Sequence, residues 1–111
     1  MIHELRLHTE PFKSIKNGTK TIGMRLYDEK RRLIKENDII EFTDRGTGEK
    51  LKAKVIKLHL YNCFEELYRK FDKISLGYNE NEEKKYQDME KYYSKEEQSK
   101  YGVVGIEIKL I

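Results

Sequence analysis

Five stretches of the chain alternate apolar and polar residues, and this period of two predicts β-strands. They span residues 2–8, 20–27, 38–42, 50–61 and 103–111. The apolar face of the second stretch consists of Ile22, Met24 and Leu26. Because successive side chains of a strand point to opposite faces, Thr21, Gly23 and Arg25 are expected together on the other face.

The fourth stretch, residues 50–61, changes phase in its middle. Its apolar residues are Leu51, Ala53 and Val55, followed by Ile56, Leu58 and Leu60. One extra residue in a strand produces such a slip, so the pattern predicts a β-bulge that bends the strand. A strand that is buried on both faces near its middle is the alternative explanation.

Helices are predicted between the strands. Thr9 is suited to be an N-cap with Pro11 in the first turn, and the Asn17-Gly18 pair is suited to end that helix. Asp28 is placed to cap a short turn or helix. Apolar residues at helical spacing predict a second helix over residues 63–72. Its apolar positions are Phe64, Leu67, Tyr68 and Phe71.

The charged segment before the last strand is also predicted to be helical. Residues 80–93 place Tyr86, Met89 and Tyr93 on one stripe. Glu80 and Lys84 are spaced for an i,i+4 ion pair on its solvated face. Ser94 and Glu97 have the spacing of a capping box that starts the next helix. As an insertion before the last strand, this segment could alternatively form a lid over a binding cleft.

The order of these elements favours an α+β fold. Strands joined by hairpins, with helices inserted between them, predict a small, mostly antiparallel β-barrel with flanking helices. The 111 residues contain no internal repeat and only one proline, and the length is that of one domain. A single domain over residues 1–111 is therefore expected.

Composition and charge narrow the function classes only slightly. Charged residues make up 39% of the chain, yet its 12 Tyr and Phe argue against disorder. The net charge is +3, and residues 1–62 carry 14 Lys and Arg against 9 Asp and Glu. A surface that faces a polyanion is therefore expected in the N-terminal half, although the excess is small for a dedicated DNA-binding domain.

Several function classes are disfavoured by what the chain does not contain. A lone cysteine, Cys63, excludes an internal disulfide and a Cys-based zinc site. The first ten residues, MIHELRLHTE, are charged where a signal peptide is apolar, and no stretch approaches the ~20 apolar residues of a membrane span. The expectation is a cytoplasmic protein without metal, cofactor or membrane partner.

The segment Gly18 to Arg25 is the most distinctive candidate for chemistry. Lys20 lies at the predicted strand entrance, and Arg25 follows on the polar face. The five steps from Lys20 to Arg25 span roughly 16 Å of an extended strand. Long side chains that lean towards each other could still share one anionic ligand. Gly23 leaves space where a ligand could approach the backbone. An ordinary solvated strand face is the alternative.

This segment resembles the ASCH domain signature Gly-x-Lys-x-x-Glu-x-Arg, matched at Gly18, Lys20 and Arg25. The similarity continues in order through residues 25–31, 38–42, 64–67, 76–78, 89–94 and 101–108. The chain is thereby identified as a member of the ASCH family. The resemblance implies a PUA-like β-barrel whose cleft is lined by the signature residues and binds RNA or nucleoside-like ligands.

The chain departs from the signature at Gly23, which stands in place of the Glu. Some small relatives resemble amidohydrolases that act on N4-acetylcytidine with a Lys and a nearby Thr nucleophile, and the position of that Thr is also Gly23 here. Others resemble metal-dependent ribonucleases, which need carboxylates. A hydrolase that uses Lys20 is therefore the alternative to pure binding. The available carboxylates, none with metal-ligand spacing, are Asp28, Glu29, Glu65 and Glu66.

The expected ligand-binding set is Lys20, Thr21, Arg25, Tyr27, Arg31 and Tyr93, and the expected partner is RNA or a modified nucleoside. Tyr27, Tyr92 and Tyr93 could stack on a base, or could simply pack with their hydroxyls at the surface. Arg31 and Arg32 could extend the basic cleft, or could form a solvated helix face. A protein-interaction role in transcriptional coactivation rests on family analogy alone.

Overall fold

The computed structural model describes residues 1–111 and contains five strands and three α-helices. The strands are β1 (Ile2–Leu7), β2 (Ile22–Leu26), β3 (Ile39–Asp44), β4 (Lys50–Tyr61) and β5 (Val103–Leu110). The helices are α1 (Thr9–Lys16), α2 (Phe64–Lys70) and α3 (Lys95–Tyr101), with short 3-10 helices at Arg31–Leu33 and Tyr86–Lys91. None of these helices combines the length and the apolar character that spanning a membrane requires.

The strands form one sheet in the order β1-β3-β4-β5-β2. β1 runs parallel to β3, and the other three pairs are antiparallel. The α+β class and the mostly antiparallel PUA-like sheet with flanking helices are thus confirmed. The sheet is a half-barrel, however, because β1 and β2 are its two edges and are not hydrogen-bonded to each other. This opening positions the candidate site.

The predicted bulge is present in β4. The register against β5 shifts between Val55 and Lys57, so that Ile56 is the extra residue. The first half of β4 pairs with β3, whereas the longer part from Ala53 to Tyr61 pairs with β5. Because a bulge increases the local twist and bends the strand, it lets one long strand curve the sheet into a half-barrel.

Two apolar clusters form the core. The first packs α1 against the sheet and includes Phe12, Ile15, Ile40, Phe42 and Val55. The second packs β2 and β5 against α2 and includes Ile22, Met24, Phe64, Leu67 and Met89. Burying one such side chain contributes about 1.5–3 kcal/mol, so α2 is held mainly by its apolar face. That face is the one predicted from its helical spacing.

The start of α1 differs from the prediction. His8 occupies the N-cap position and provides no side-chain hydrogen bond, and Thr9 is the first helical residue. The Thr9 hydroxyl instead donates to the buried Asp44 carboxylate at 2.8 Å. A buried carboxylate is costly without hydrogen-bond donors, whereas a helix end can be satisfied by water. Asp44 also accepts from the Gly46 amide and the Thr47 hydroxyl. At the other end, Gly18 has the predicted positive φ of 88°.

The prediction of a helix over residues 80–93 is wrong. Only the 3-10 helix Tyr86–Lys91 forms, and turns occupy much of the segment from Lys73 onwards. The expected pair of Glu80 with Lys84 is also absent, because the Lys84 ammonium donates to the carbonyl oxygens of Tyr68 and Phe71 at the end of α2. Tertiary hydrogen bonds replace the helical ones here. The capping box of Ser94 is confirmed.

Candidate functional site

A cavity of about 300 Å³ lies beside the two edge strands, β1 and β2, and is called the β1–β2 cavity below. Its residues come from four parts of the chain. They are Leu7, His8 and Pro11 near the end of β1, Lys20, Met24 and Arg25 on or before β2, Arg45 after β3, and Met89, Tyr92 and Tyr93 from the segment before α3. Because β1 and β2 do not pair, their ends leave room for these long side chains.

Lys20 is held at the entrance of β2 by its backbone and by a neighbouring turn. Its amide donates to the Ser14 carbonyl oxygen at 3.0 Å. The following two amides, of Thr21 and Ile22, both donate to the Ser75 carbonyl oxygen. Gly77, with a positive φ of 105°, lies so close that a Cβ there would be 3.0 Å from Lys20 Cδ. This turn therefore forms a back wall for the lysine stem.

The environment of Lys20 disfavours its charged form. Burial, and secondly the positive charge of Arg25, lower the pKa of Lys20 from 10.5 to about 8. A fraction of the lysine is therefore a neutral amine at mildly alkaline pH. A neutral amine can accept a proton, whereas the ammonium form can only donate hydrogen bonds.

Arg25 lies on β2, which begins after Lys20, and is anchored by a single hydrogen bond. Its Nη1 donates to the Met24 carbonyl oxygen at 2.8 Å. Burial is the largest cause that lowers the pKa of Arg25; Tyr93 opposes the shift, and the charges of Arg31 and Arg45 add to it. Arginine nevertheless stays protonated in proteins, so the guanidinium is a permanent cation in the cavity wall.

Neither Lys20 nor Arg25 has a salt bridge. Lys20 Nζ also donates no hydrogen bond to a protein atom, and no Asp or Glu lines the β1–β2 cavity. Partly buried cations are normally paired, because desolvated charge is costly without a counter-charge. The cavity is thus a positively charged pocket with unused hydrogen-bond donors.

Aromatic and sulfur-containing side chains form the remaining wall. The Tyr93 ring stacks on Phe64, with ring centroids 5.8 Å apart and an interplanar angle of 23°. Gln98, itself buried, joins the two residues: its Oε1 accepts from the Phe64 amide and its Nε2 donates to the Tyr93 carbonyl oxygen. Tyr93 is therefore a rigid wall, whereas Tyr92 at the rim is 63% exposed.

The structure brings together three of the six residues expected to bind the ligand, namely Lys20, Arg25 and Tyr93. Thr21 does not line the cavity. Arg31 is close enough to affect Arg25 but forms an ion pair with Asp28 at 2.9 Å. In a separate hydrogen bond Asp28 accepts from the Arg31 amide at 3.1 Å and so caps the short turn, as predicted, while Lys30 occupies the N-cap position of the 3-10 helix.

Tyr27 also lies outside the cavity. It packs against the first core cluster, and the Arg32 guanidinium covers its ring at 4.3 Å. Arg32 donates in addition to the Tyr101 carbonyl oxygen. These two residues therefore join the turn after β2 to the end of α3. For Tyr27 these contacts favour packing over base stacking, whereas Arg32 neither extends the cavity nor forms a merely solvated helix face.

Arg45 was not found by reasoning from the sequence. It lies directly after β3, in the glycine-containing turn that leads to β4. Its amide donates to the Leu7 carbonyl oxygen and so extends the parallel pairing of β1 and β3. A parallel pair of distant strands leaves no short-range signal in a sequence. The parallel register is what brings Arg45 beside Lys20 and Arg25.

A second cavity of about 300 Å³ lies on the other side of Lys20. It shares Pro11, Lys20, Met24 and Met89 with the first cavity but adds two carboxylates, Glu10 and Glu82. Tyr68 and Tyr78 also line it, and their hydroxyls are 2.9 Å apart. Lys20 thus separates a positively charged compartment from a partly acidic one.

No group of three or more His, Cys, Asp or Glu side chains could hold a metal ion. The carboxylates considered for nuclease chemistry lie outside the β1–β2 cavity. Glu65 pairs with Arg69 at 2.7 Å, and Glu66 accepts from the Asn62 amide. The donor set of this cavity is suited to an anion.

The sequence profile of the ASCH domain matches residues 5–111. The chain is also similar to the crystal structure of the hypothetical protein PH0355, with a TM-score of 0.83, 38% identity and 100% of each chain covered. It is similar to the solution NMR structure of protein PF0455 from Pyrococcus furiosus, with a TM-score of 0.73, 38% identity, and coverage of 100% of this chain and 98% of that one. No curated protein matches the chain.

Proposed function

The chain belongs to the ASCH domain family, and from that premise we propose that it binds RNA or a nucleoside-like ligand in the β1–β2 cavity. The observation that carries the proposal is the pair of Lys20 and Arg25, which line this cavity without a protein counter-ion. Family membership makes an RNA-related ligand the expected source of negative charge and hydrogen-bond acceptors. We also propose that residues 1–111 form a single ASCH domain in a cytoplasmic protein.

The walls of the cavity support the same proposal. Tyr92 and Tyr93 offer faces on which a base can stack, and such stacking contributes about 1–3 kcal/mol per base. Met24 and Met89 are unbranched and polarisable, so they adapt to a flat ring. Arg45 at the exposed end adds a third cation that can contact a phosphate or a sugar hydroxyl.

A titration with short RNAs and nucleosides tests the proposal. The double variant Lys20→Ala/Arg25→Ala should weaken binding by about 100-fold, since hydrogen bonds to charged groups contribute roughly 1.5–3 kcal/mol each. The matched control is Lys52→Ala/Lys54→Ala, which removes two exposed, unpaired charges from β4 outside the cavity. Equal affinities of the two double variants would contradict the proposal.

A second candidate function is hydrolysis in the same cavity. The observation that favours it is the pKa of Lys20, which at about 8 allows the amine to act as a base. An amidohydrolase on N4-acetylcytidine or a ribonuclease would be the reaction class. No hydroxyl nucleophile lies beside Lys20 on β2, because Gly23 occupies the corresponding position and Thr21 lies outside the cavity.

Assays of N4-acetylcytidine and labelled RNA, with and without divalent metal, test this candidate. Turnover that Lys20→Ala abolishes would establish an enzyme. The variant Gly23→Thr adds the missing hydroxyl at a position where a Cβ meets only the Ile106 carbonyl oxygen, at 3.9 Å. Turnover in Gly23→Thr alone would indicate a binding site that has lost its nucleophile. Absence of product in every condition would eliminate hydrolysis of these substrates.

A further inference from the structure

We propose that the β1–β2 cavity binds one nucleotide unit by a terminal phosphate monoester, with the phosphate between Lys20 and Arg25 and the base beside Tyr92. This inference rests on the proposed function and narrows it from any RNA or nucleoside to a phosphorylated end. The same chemistry occurs in a free nucleoside monophosphate and at the end of an RNA strand.

The charges of Lys20 and Arg25 are not balanced within the protein. Lys20 has three ammonium donors and Arg25 has five guanidinium donors, yet the protein supplies one acceptor, the Met24 carbonyl oxygen. A neutral nucleoside would displace water from two cations without compensating them. A phosphate monoester carries up to two negative charges and three acceptor oxygens, and it matches the planar guanidinium in a bidentate manner.

The size of the cavity and the depth of its cations fit a single nucleotide unit. A cavity of about 300 Å³ is at the lower end of the range for small-molecule sites, so it suits one unit rather than a strand. Lys20 and Arg25 are partly buried, whereas Tyr92 is exposed at the rim. The phosphate therefore enters first and the base stays near the rim.

The surroundings of Lys20 favour a terminal phosphate. Beyond Lys20 the next space is the second cavity, which Glu10 and Glu82 line. Carboxylates there repel a second phosphate, so a strand cannot continue past Lys20 in that direction. At the open end Arg45 can meet the next phosphate of an RNA strand. A chain end is thus accepted and an internal phosphate is not.

The test compares ligands with and without the phosphate. Calorimetric titrations at pH 7 use cytidine, its 5′- and 3′-monophosphates, inorganic phosphate, and a short RNA with a 5′-phosphate or a 5′-hydroxyl. A monophosphate should bind at least about tenfold more tightly than the nucleoside, given the strength of charge-assisted hydrogen bonds. This advantage should disappear in Lys20→Gln and Arg25→Gln but persist in Lys52→Gln/Lys54→Gln.

A second readout follows the proton on Lys20. With a pKa of about 8, Lys20 is about half protonated at pH 8. A bound phosphate favours the ammonium form, so binding at this pH should take up as much as about half a proton. The phosphate itself contributes no proton change, because a monoester with a second pKa near 6 is already ionised there. Titration in buffers of different ionisation enthalpy measures this uptake. Lys20→Arg keeps the charge and should bind without it. The charged and titratable groups around Lys20 are Arg25, Arg45 and His8 on one side and Glu10, Glu82, Tyr68 and Tyr78 on the other.

The outcomes separate this inference from the proposed function. Equal affinity for cytidine and its monophosphates would overturn the inference and leave nucleoside binding intact. Inorganic phosphate that binds as tightly as the nucleotides would overturn the role of the base. Failure of every nucleoside, nucleotide and RNA to bind would overturn the proposed function as well. Binding of the phosphorylated RNA but not of free nucleotides would support the inference and identify an RNA end as the source.

Discussion

Gly77 is predicted to set the position of Lys20, and Gly77→Ala tests this without removing any charge. The added Cβ would lie 3.0 Å from Lys20 Cδ and 3.5 Å from Lys20 Nζ. Carbon atoms in contact are normally about 3.5–4.0 Å apart, so the lysine stem has to move by roughly a few tenths of an ångström. The ammonium would then shift relative to Arg25.

The same substitution also strains the backbone, and the two effects can be separated. Gly77 has a φ of 105°, which costs a residue with a side chain about 1–3 kcal/mol. Gly48 also has a positive φ, of 78°, but a Cβ added there would have no neighbouring atom within 4 Å. Gly48→Ala is therefore a matched control that has backbone strain without the contact to Lys20.

The assay has two parts. Urea unfolding should show a similar loss of stability, about 1–3 kcal/mol, in both alanine variants. An NMR titration of the Lys20 side chain should show a changed pKa in Gly77→Ala only, and nucleotide binding should weaken in that variant only. A Lys20 pKa of about 8 that persists in Gly77→Ala would refute the reasoning, because the lysine would then tolerate the Cβ without moving.

Three further predictions concern single groups. Arg25→Gln should raise the pKa of Lys20 above about 8 while leaving it below 10.5, since burial is the larger cause; NMR titration measures this. Gln98→Leu should destabilise the fold by about 1–3 kcal/mol in urea unfolding, because it leaves the buried Phe64 amide without an acceptor. Hydrogen bonds, of which the one from Thr9 has the largest effect, hold the pKa of Asp44 below 3.8. The ionised Asp44 therefore stabilises the fold above pH 3.8, and this stabilisation is lost as the pH falls further. Asp44→Asn should flatten this acid limb in a profile of unfolding free energy against pH.

Local patterns in the sequence predicted most of the fold correctly. The alternation in β2 and β5, the slip at Ile56 and the capping box at Ser94 each reflect interactions between residues close in the chain. Such short-range signals survive in a single sequence because the periodicity of a strand or helix determines which side chains share a face. The error over residues 80–93 has the opposite origin. Side chains such as Lys84 bind distant carbonyl groups there and override a helical pattern.

Short-range signals also predicted part of the candidate site. Lys20 and Arg25 lie on one segment, so their spacing and the family signature identified them together. Tyr27 and Arg31 belong to the neighbouring segment and were expected beside them for that reason. In the structure Arg32 covers Tyr27, and Asp28 binds Arg31. A sequence shows which charged residues are near each other along the chain, but not which of them neutralise one another.

Local patterns and the signature residues were therefore enough to establish the family, the α+β class and the two cations of the β2 segment. The packing of the whole chain was needed to show that β1 and β2 remain unpaired edges, that Arg45 joins the two cations, and that no carboxylate compensates them. Charge compensation depends on distances across the fold, not on spacing along the chain. Parallel pairing of β1 with β3 and the docking of the segment before α3 set those distances, and neither leaves a periodic signal in the sequence.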